Sequence, residues 1–591
     1  MKPIIVERKK VKTVIKYLNE YKKEAILAPV FKMLEATFEL LVPLVVAGII
    51  DTGIANNDKK YILTGCFVMV LLGIVGLIAS GTAQFFSAKA ACGFAKKVRY
   101  ALFEKLQTLS FSEIDEIGTS SLITRMTSDV NQMQTGVNLL LRLFLRSPFI
   151  VFGAMIMAFT IDFKAALVFV VTIPVLSVIV FGIMLITIPM YKKVQRSLDK
   201  VTMVTRENLT GIRVIRAFCK EDEEIERFDD SNNILNNVQK AVGKISGLMN
   251  PLTYIVINVG IIVLIYVGAV RVDNGVISRG LVIALYNYMS QILVELIKLA
   301  NLIINITKSV ACSKRVESIL LMEATLKTGK EIKEDNDFDE KTYEYAVEFE
   351  NVSMAYKGSK EEALENISFK AKKGETIGII GGTGSGKSTL ALLIPHFYDA
   401  TEGVVKVNGR DVLCYDNNEL RKKIGIVLQK SVLFKGTIRE NLLWGNKDAT
   451  DKEILDAIKI AQAQDVIASK TEGLDALVTQ GGKNFSGGQR QRLAIARALV
   501  RKPEILILDD SSSALDYATD ARLRKALREV KETTIFIVSQ RTSSIQHADK
   551  IIVLDDGKMA AMGTHTELLG SCDIYREIYE SQYGGNDGKS I

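Results

Sequence analysis

Nine consecutive residues read Gly381-Gly382-Thr383-Gly384-Ser385-Gly386-Lys387-Ser388-Thr389. Gly381, Gly386, Lys387 and Ser388 fall on the spacing G-x-x-x-x-G-K-[ST]. Glycines so placed let backbone amides close around phosphates, and amides at a helix start point at an anion. Lys387 is expected to reach the β- and γ-phosphates of a nucleotide, and Ser388 to ligate magnesium. A second run, Ile505-Leu506-Ile507-Leu508, ends in Asp509-Asp510. A buried strand ending in aspartate near such a loop is the Walker B arrangement, with Asp509 holding magnesium directly or through water. A third stretch, Phe485-Ser486-Gly487-Gly488-Gln489, precedes a helical run. Ser-Gly-Gly before a helix is another anion-binding start. If each site takes one nucleotide, this stretch cannot serve the phosphates at Gly381–Ser388. It points to a second ATP, supplied from another chain. The cofactors expected are therefore ATP and Mg2+.

These groups need elements to hold them. Thr376–Ile380 reads as a buried strand before the glycine loop, and Leu390–Ile394 as the first turns of a helix after it. From Tyr343 onward short β-branched runs alternate with helical stretches, an α/β pattern. The preceding half is different. The chain has 591 residues, 48% of them hydrophobic, but the hydrophobicity is uneven. Tyr61–Ala88, Ala165–Met190 and Ile245–Val270 are uncharged and long enough to span a bilayer. Segments at about 26–50, 139–161 and 281–307 span with charges inside them. Lys and Arg number eight in residues 1–24, six in 89–141 and ten in 191–243, against five in the three intervening loops. That bias places both termini and the two long loops in the cytoplasm. The net charge of +8 thus follows membrane topology and needs no nucleic acid. Each long loop would form two helical arms of roughly 35 Å at about 1.5 Å per residue, tipped by short crosswise helices at Ser112–Thr119 and Glu207–Phe218. Contact of these tips with a nucleotide domain is favoured over unpartnered hairpins. Six scattered cysteines have neither metal-ligand spacing nor a paired framework, and read as free thiols. Three histidines make a histidine metal cluster unsupported. The basic start lacks a cleavable apolar core, so an amphipathic helix on the inner membrane face is expected. The expected domains are an amphipathic segment 1–24, a six-helix membrane domain 25–318, a charged linker 319–342, a nucleotide domain 343–583 and a disordered tail 584–591.

The glycine loop, Phe485–Gln489, Asp509 and Ser513-Ala514-Leu515-Asp516 occur in one order at cassette-like spacing. Together they resemble the ATP-binding cassette proteins, and six preceding spans make the chain similar to an exporter-type half-transporter. The resemblance covers nearly the whole chain. It implies an α-helical membrane domain with long cytoplasmic extensions, followed by an α/β P-loop cassette. It implies two cassettes dimerised head to tail, each ATP lying between one P-loop and the other signature, Ser486, Gly487, Gly488 and Gln489. By motif match Tyr356 would stack on adenine, and Gln429 would be the residue that senses magnesium and touches the membrane-domain tips. Glu207, Gly211, Arg216, Ala217 and Phe218 match the family's second cytoplasmic loop. The implied partners are a second half-transporter, the lipid bilayer and a small amphipathic substrate. The implied location is the cell membrane, multi-pass, with the cassette cytoplasmic. A composition rich in Lys and Ile with one tryptophan, Trp444, points to a bacterium.

Two positions depart from that pattern. Asp510 stands where the family usually has a glutamate that orients the attacking water, and Gln540 where it usually has a histidine before arginine. Asp510 is one methylene short, about 1.5 Å, and a misplacement of about 1 Å at a reacting centre can cost on the order of 10²-fold. Gln540 can hydrogen-bond a γ-phosphate but cannot carry a proton or a charge. Both defects fall on one site, which favours a heterodimer subunit with an ATP-holding, weakly hydrolytic site over a working homodimer. An ATP-gated channel or regulatory membrane module is the reading from another class. In the membrane half, Asn287, Gln291, Glu295, Lys298 and Asn305 share one helical face. Glu35 and Glu39 lie one turn apart. Such groups either line a substrate path or pair internally, as Glu35 or Glu39 could with Arg142 or Arg146. Three carboxylates lean toward cationic amphiphiles as substrate.

Overall fold

A computed structural model describes residues 14–323, 325–326, 343–359 and 361–583. The expected tail, the linker segment Glu331–Lys341 and residues 1–13 of the amphipathic segment lie outside the described residues. The chain divides into two compact units. One holds the N-terminal part to Gln107 together with Ser120–Met322; the other joins Thr108–Thr119 to the chain from Glu323 onward.

The first unit is all helix: α1 (Lys22–Gly48), α2 (Lys59–Thr108), α4 (Val130–Leu143), α5 (Arg146–Ile161), α6 (Phe163–Ala217), α7 (Glu221–Gly247), α8 (Met249–Asp273) and α9 (Arg279–Leu320), with α3 (Phe111–Ile117) belonging to the second unit. Among the described residues, six helical stretches are long and apolar enough to cross a membrane. Only helices or closed barrels satisfy every backbone group in hydrocarbon, so the apolar runs must be helical throughout their membrane depth. Many outward side chains, Leu63, Phe67, Leu77 and Val178 among them, are large, apolar and exposed. In water that would be a liability; facing lipid it is the required surface. The inner faces close on small residues: Ala36, Ala154, Ala158, Ala165, Ala166 and Ala284 are buried around Phe169, Tyr288 and Ile292.

Helix ends are tied by polar side chains. Asp162 caps α6 by accepting from the Ala165 amide at 2.8 Å, and Arg271 of α8 donates to it through Nε at 3.0 Å. Asp51 accepts from the Gly280 amide at 2.7 Å and from Ser278. A Cβ on Gly280 would come within 2.4 Å of the Ala47 carbonyl oxygen, so α9 begins where only glycine allows the approach.

The span expected at 139–161 lies within the apolar stretch Thr119–Ile161, with a turn at Phe144–Leu145 between α4 and α5. The structure corrects one expectation here: Glu207–Phe218 is not a separate crosswise helix. Residues to Ala217 continue α6, which stops at Phe218 before the turn to α7. Cys219 at φ 51 makes that turn. The first tip is a short helix, α3, with a Ser110–Glu113 capping box at its start and Gly118 at φ 78 at its end.

The carboxylates singled out in the membrane half, Glu35, Glu39 and Glu295, pair with neighbouring cations. Arg146 of α5 donates to Glu39 of α1 at 2.6 Å and to Glu295 of α9 at 2.7 Å. Glu295 also accepts from Ser147 and Lys298, each at 2.8 Å, and Lys32 pairs with Glu35. Of the two sequence readings, internal pairing describes these carboxylates, with Arg146 as the partner of Glu39. The three carboxylates are met by cations, so they no longer argue for a cationic substrate.

Among its described residues the second unit carries two main sheets and a two-stranded antiparallel ribbon, Gly436–Thr437 with Leu477–Val478. β1 (Tyr345–Met354), β2 (Leu364–Lys372), β4 (Glu402–Val407) and β5 (Arg410–Asp411) form an antiparallel sheet in the order β2-β1-β4-β5. β3 (Thr376–Gly381), β6 (Ile424–Val427), β7 (Ile505–Asp509), β8 (Thr534–Val538), β9 (Lys550–Asp555) and β10 (Lys558–Gly563) form the other, in the order β10-β9-β3-β8-β7-β6. Only the β9–β10 pair in it is antiparallel. The parallel strands are continuous apolar runs, as a sheet covered on both faces requires. Their carboxyl ends lie together along one edge, where ligands of open α/β sheets bind.

Candidate functional site

Four neighbouring strands each deliver a functional group to that edge. The glycine loop follows β3 and leads into α10 (Lys387–Leu393). Gln540 stands two residues past β8, Asp509 closes β7 with Asp510 next, and Gln429 stands two residues past β6. Because β3, β8, β7 and β6 are adjacent in that order, residues over a hundred positions apart meet in one cleft of about 360 Å³. It is lined by Tyr356, Thr383, Gly384, Gly386, Lys387, Ser388, Thr389, Gln429, Asp509, Asp510, Ser539 and Gln540, with Ala363 and Val538.

The loop can only be built from glycine at its critical points. Gly386 has φ 89, and a Cβ there would lie 2.5 Å from the Ala363 carbonyl oxygen. A Cβ on Gly381 would lie 2.0 Å from the Leu554 carbonyl oxygen. Lys387 is buried, its ammonium donating to the carbonyls of Gly381 at 3.0 Å and Gly382 at 2.5 Å. Ser388 Oγ donates to Asp509 Oδ1 at 3.0 Å, and Gln429 Nε2 to Asp510 Oδ2 at 3.2 Å. Asp510 has φ 44, a left-handed backbone that aspartate tolerates, and its amide donates to the Val538 carbonyl at 2.9 Å. Tyr356 hydrogen-bonds Thr389 Oγ1 at 3.0 Å from the rim.

The electrostatics fit a magnesium nucleotide. Burial holds Lys387 below the ordinary lysine range, with Asp510 and Asp509 only partly offsetting it. Burial likewise pushes the Asp509 carboxyl up, against the hydrogen bond from Ser388. A buried cation and a buried anion, each biased toward its neutral form, are stabilised by ligand charges of opposite sign. A polyphosphate beside Lys387 and a hard divalent cation beside Ser388 and Asp509 would supply those charges. Magnesium would be held by those two oxygens and would neutralise phosphate charge there.

The signature residues do not enter this cleft. Ser486 caps α11 (Gly487–Val500), accepting from the Gln489 amide at 3.3 Å while its own amide donates to Gln489 Oε1 at 2.9 Å. Ser486 and Gly487 are exposed, and Gly488 packs so closely that a Cβ would come within 2.8 Å of the Ala514 carbonyl oxygen.

The same unit includes α3, seated beside the nucleotide elements. Its Asp115 accepts from the Tyr398 hydroxyl at 2.6 Å, its Glu116 pairs with Lys357 at 2.8 Å, and Phe111 meets Phe397 with ring centres 4.6 Å apart. Tyr398 in turn stands edge-on to Tyr356 at 5.3 Å. Glu113 is buried, yet hydrogen bonds from Ser110 and Thr325 overcome that burial and lower its pKa. The sequence singled out neither Tyr398 nor Asp115, which are 283 positions apart. It also missed Ser539 on the cleft wall, although that residue directly precedes Gln540.

Comparison with known proteins agrees with this geometry. The family described as ABC transporter transmembrane region matches residues 25–296, and that described as ABC transporter matches residues 364–513. An uncharacterized ABC transporter ATP-binding protein, YfiB of Bacillus subtilis, is 35% identical over 98% of this chain and 99% of its own. A putative multidrug export ATP-binding/permease protein, YgaD of the same organism, is 32% identical over 97% and 98% respectively. A putative export ATP-binding/permease protein of Rickettsia felis is 30% identical over 96% and 98%. With six membrane-spanning helices and a P-loop cleft on one chain, this multi-pass membrane protein belongs to the ATP-binding cassette transporters, as a half-transporter with fused membrane and ATP-binding regions.

Proposed function

We propose that the chain exports amphipathic or drug-like compounds across a bacterial cell membrane as one half of a heterodimer, with both termini and the cassette in the cytoplasm. Its own P-loop forms an ATP-holding site of weak turnover, and its signature completes the partner subunit's hydrolytic site. The export names of the relatives support the direction of transport. The observation that carries the division of labour is the composition of one cleft. Lys387, Ser388, Asp509 and Tyr356 meet there as a nucleotide requires, beside Asp510 and Gln540. Binding groups are complete, whereas the two groups that handle the attacking water and the γ-phosphate are shortened or uncharged. The short carboxylate of Asp510 is also engaged by Gln429. Ser486 and Gly487, exposed at the start of α11, are available to a nucleotide held elsewhere.

The purified full-length chain, without a partner, is expected to bind ATP and turn it over poorly. Nucleotide binding and magnesium-dependent phosphate release on the same sample check this. Brisk turnover by the isolated chain overturns the reading in favour of a hydrolysing homodimer.

A further inference from the structure

The short helical turn that follows Gln540 is not capped by its own N-cap residue. Thr542–Ile545 is a single helical turn whose N-cap, Arg541, makes no side-chain cap. The first amides of such a turn lack partners within the helix. The missing partner comes from α12 (Asp573–Tyr583), at the end of the described chain. Gln582 accepts from the Thr542 amide and from Thr542 Oγ1, both at 2.9 Å, and its Nε2 donates to the Gln540 carbonyl at 2.7 Å. One side-chain amide therefore bridges the peptide on both sides of Arg541.

The helix that presents Gln582 is anchored elsewhere. Tyr575 is fully buried and its hydroxyl meets His565 Nδ1 at 2.7 Å, while Arg576 Nε donates to the Leu569 carbonyl at 3.0 Å. Gln582 itself is exposed, so its hydrogen bonds are not needed to keep α12 folded. The neighbouring loop is gripped from the same turn, since Arg541 Nη1 donates to the Ser512 carbonyl at 3.4 Å and its guanidinium stands 5.9 Å over the Tyr517 ring.

We infer that Gln582 is a positioning residue for this chain's ATP site: it fixes the peptide of Gln540, and through it the grip on the terminal phosphate. This rests on the reading of Gln540 as a γ-phosphate contact. ADP lacks that phosphate, so ATP and ADP affinities separate a local effect from a general one.

The test uses the full-length chain in detergent with magnesium, displacing a fluorescent trinitrophenyl-ATP with ATP or with ADP. Gln582→Ala is expected to weaken ATP about three- to tenfold, the span of one ordinary hydrogen bond, and to leave ADP unchanged. Gln582→Glu keeps the acceptor for Thr542 and loses the donor to Gln540, so it should act like Gln582→Ala. In a Gln540→Ala background, Gln582→Ala should add nothing, as residues acting through one another do. Equal loss of ATP and ADP, or a full additional loss in the double variant, overturns the inference and leaves Gln582 a support of the fold. If Gln540→Ala weakens ATP selectively while Gln582→Ala and Gln582→Glu do not, the inference fails and the γ-phosphate reading stands. If Gln540→Ala leaves the ATP-to-ADP ratio unchanged, both fail.

Discussion

On the proposed reading, one methylene at Asp510 and one ring at Gln540 separate this cleft from a hydrolytic one. Asp510 sits where a longer carboxylate would reach further into the cleft, and it already accepts from Gln429 at 3.2 Å. Lys387 is the opposite case, a cation kept buried by loop carbonyls and depressed in pKa by that burial. Removing it leaves phosphate charge without its main counter-charge in a poorly solvated place. Lys387→Ala is therefore expected to weaken ATP about 10- to 100-fold, the range of a charge-assisted hydrogen bond. Asp510→Asn keeps the size of the side chain and its hydrogen bond with Gln429, so ATP affinity should stay within about threefold. Equilibrium nucleotide displacement on the two variants checks both. At this scale the sequence was most informative, because the glycine loop and the aspartate pair are contiguous and their chemistry depends on spacing. Gln582 was invisible to it. Nothing in the sequence links a glutamine on an exposed helix end to a carbonyl 42 positions away.

At the scale of elements, the membrane helices are held by polarity as well as by apolar packing. Arg146 on α5 joins Glu39 on α1 to Glu295 on α9, tying three helices through one guanidinium. Removing the cation leaves buried Glu295 with only Ser147 and Lys298 and half-exposed Glu39 without its cation; breaking a buried pair from one side typically costs about 3–5 kcal/mol. Arg146→Met should thus lower the thermal unfolding midpoint of the detergent-solubilised chain sharply. Adding Glu39→Gln and Glu295→Gln to it should restore most of the loss. A midpoint unchanged in Arg146→Met would show that the triad does not hold the helices. Hydropathy revealed all six spans because each is an apolar run too long for an ordinary soluble core. It could not reveal the break at Phe144–Leu145, since both residues are apolar and a turn leaves no dip in hydropathy. The end of α6 was missed for a related reason. Helical periodicity runs unbroken through Glu207–Ala217, and the stop is made by the turn at Phe218–Lys220.

At the scale of the whole molecule, the account rests on one cassette having two faces with different fates. Sheet order explains why the first face could be assembled from sequence: β3, β8, β7 and β6 place four separate motifs side by side. Ser486 and Gly487 stand outside that cleft, exposed at the start of α11, and on the proposed reading this second face takes a nucleotide held by another subunit. The direct measurement is steady-state ATPase of the co-purified pair, one variant of this chain at a time. Ser486→Arg sets a bulky cation where a hydroxyl and close backbone approach are needed, and turnover should be abolished. Asp510→Asn alters a carboxylate already badly placed, so most turnover should survive, whereas loss of a working general base typically costs about 10²–10⁴-fold. Equal damage from the two variants would contradict the division of labour and make the sites equivalent. No effect from either would mean that the signature does not act on a partner's nucleotide.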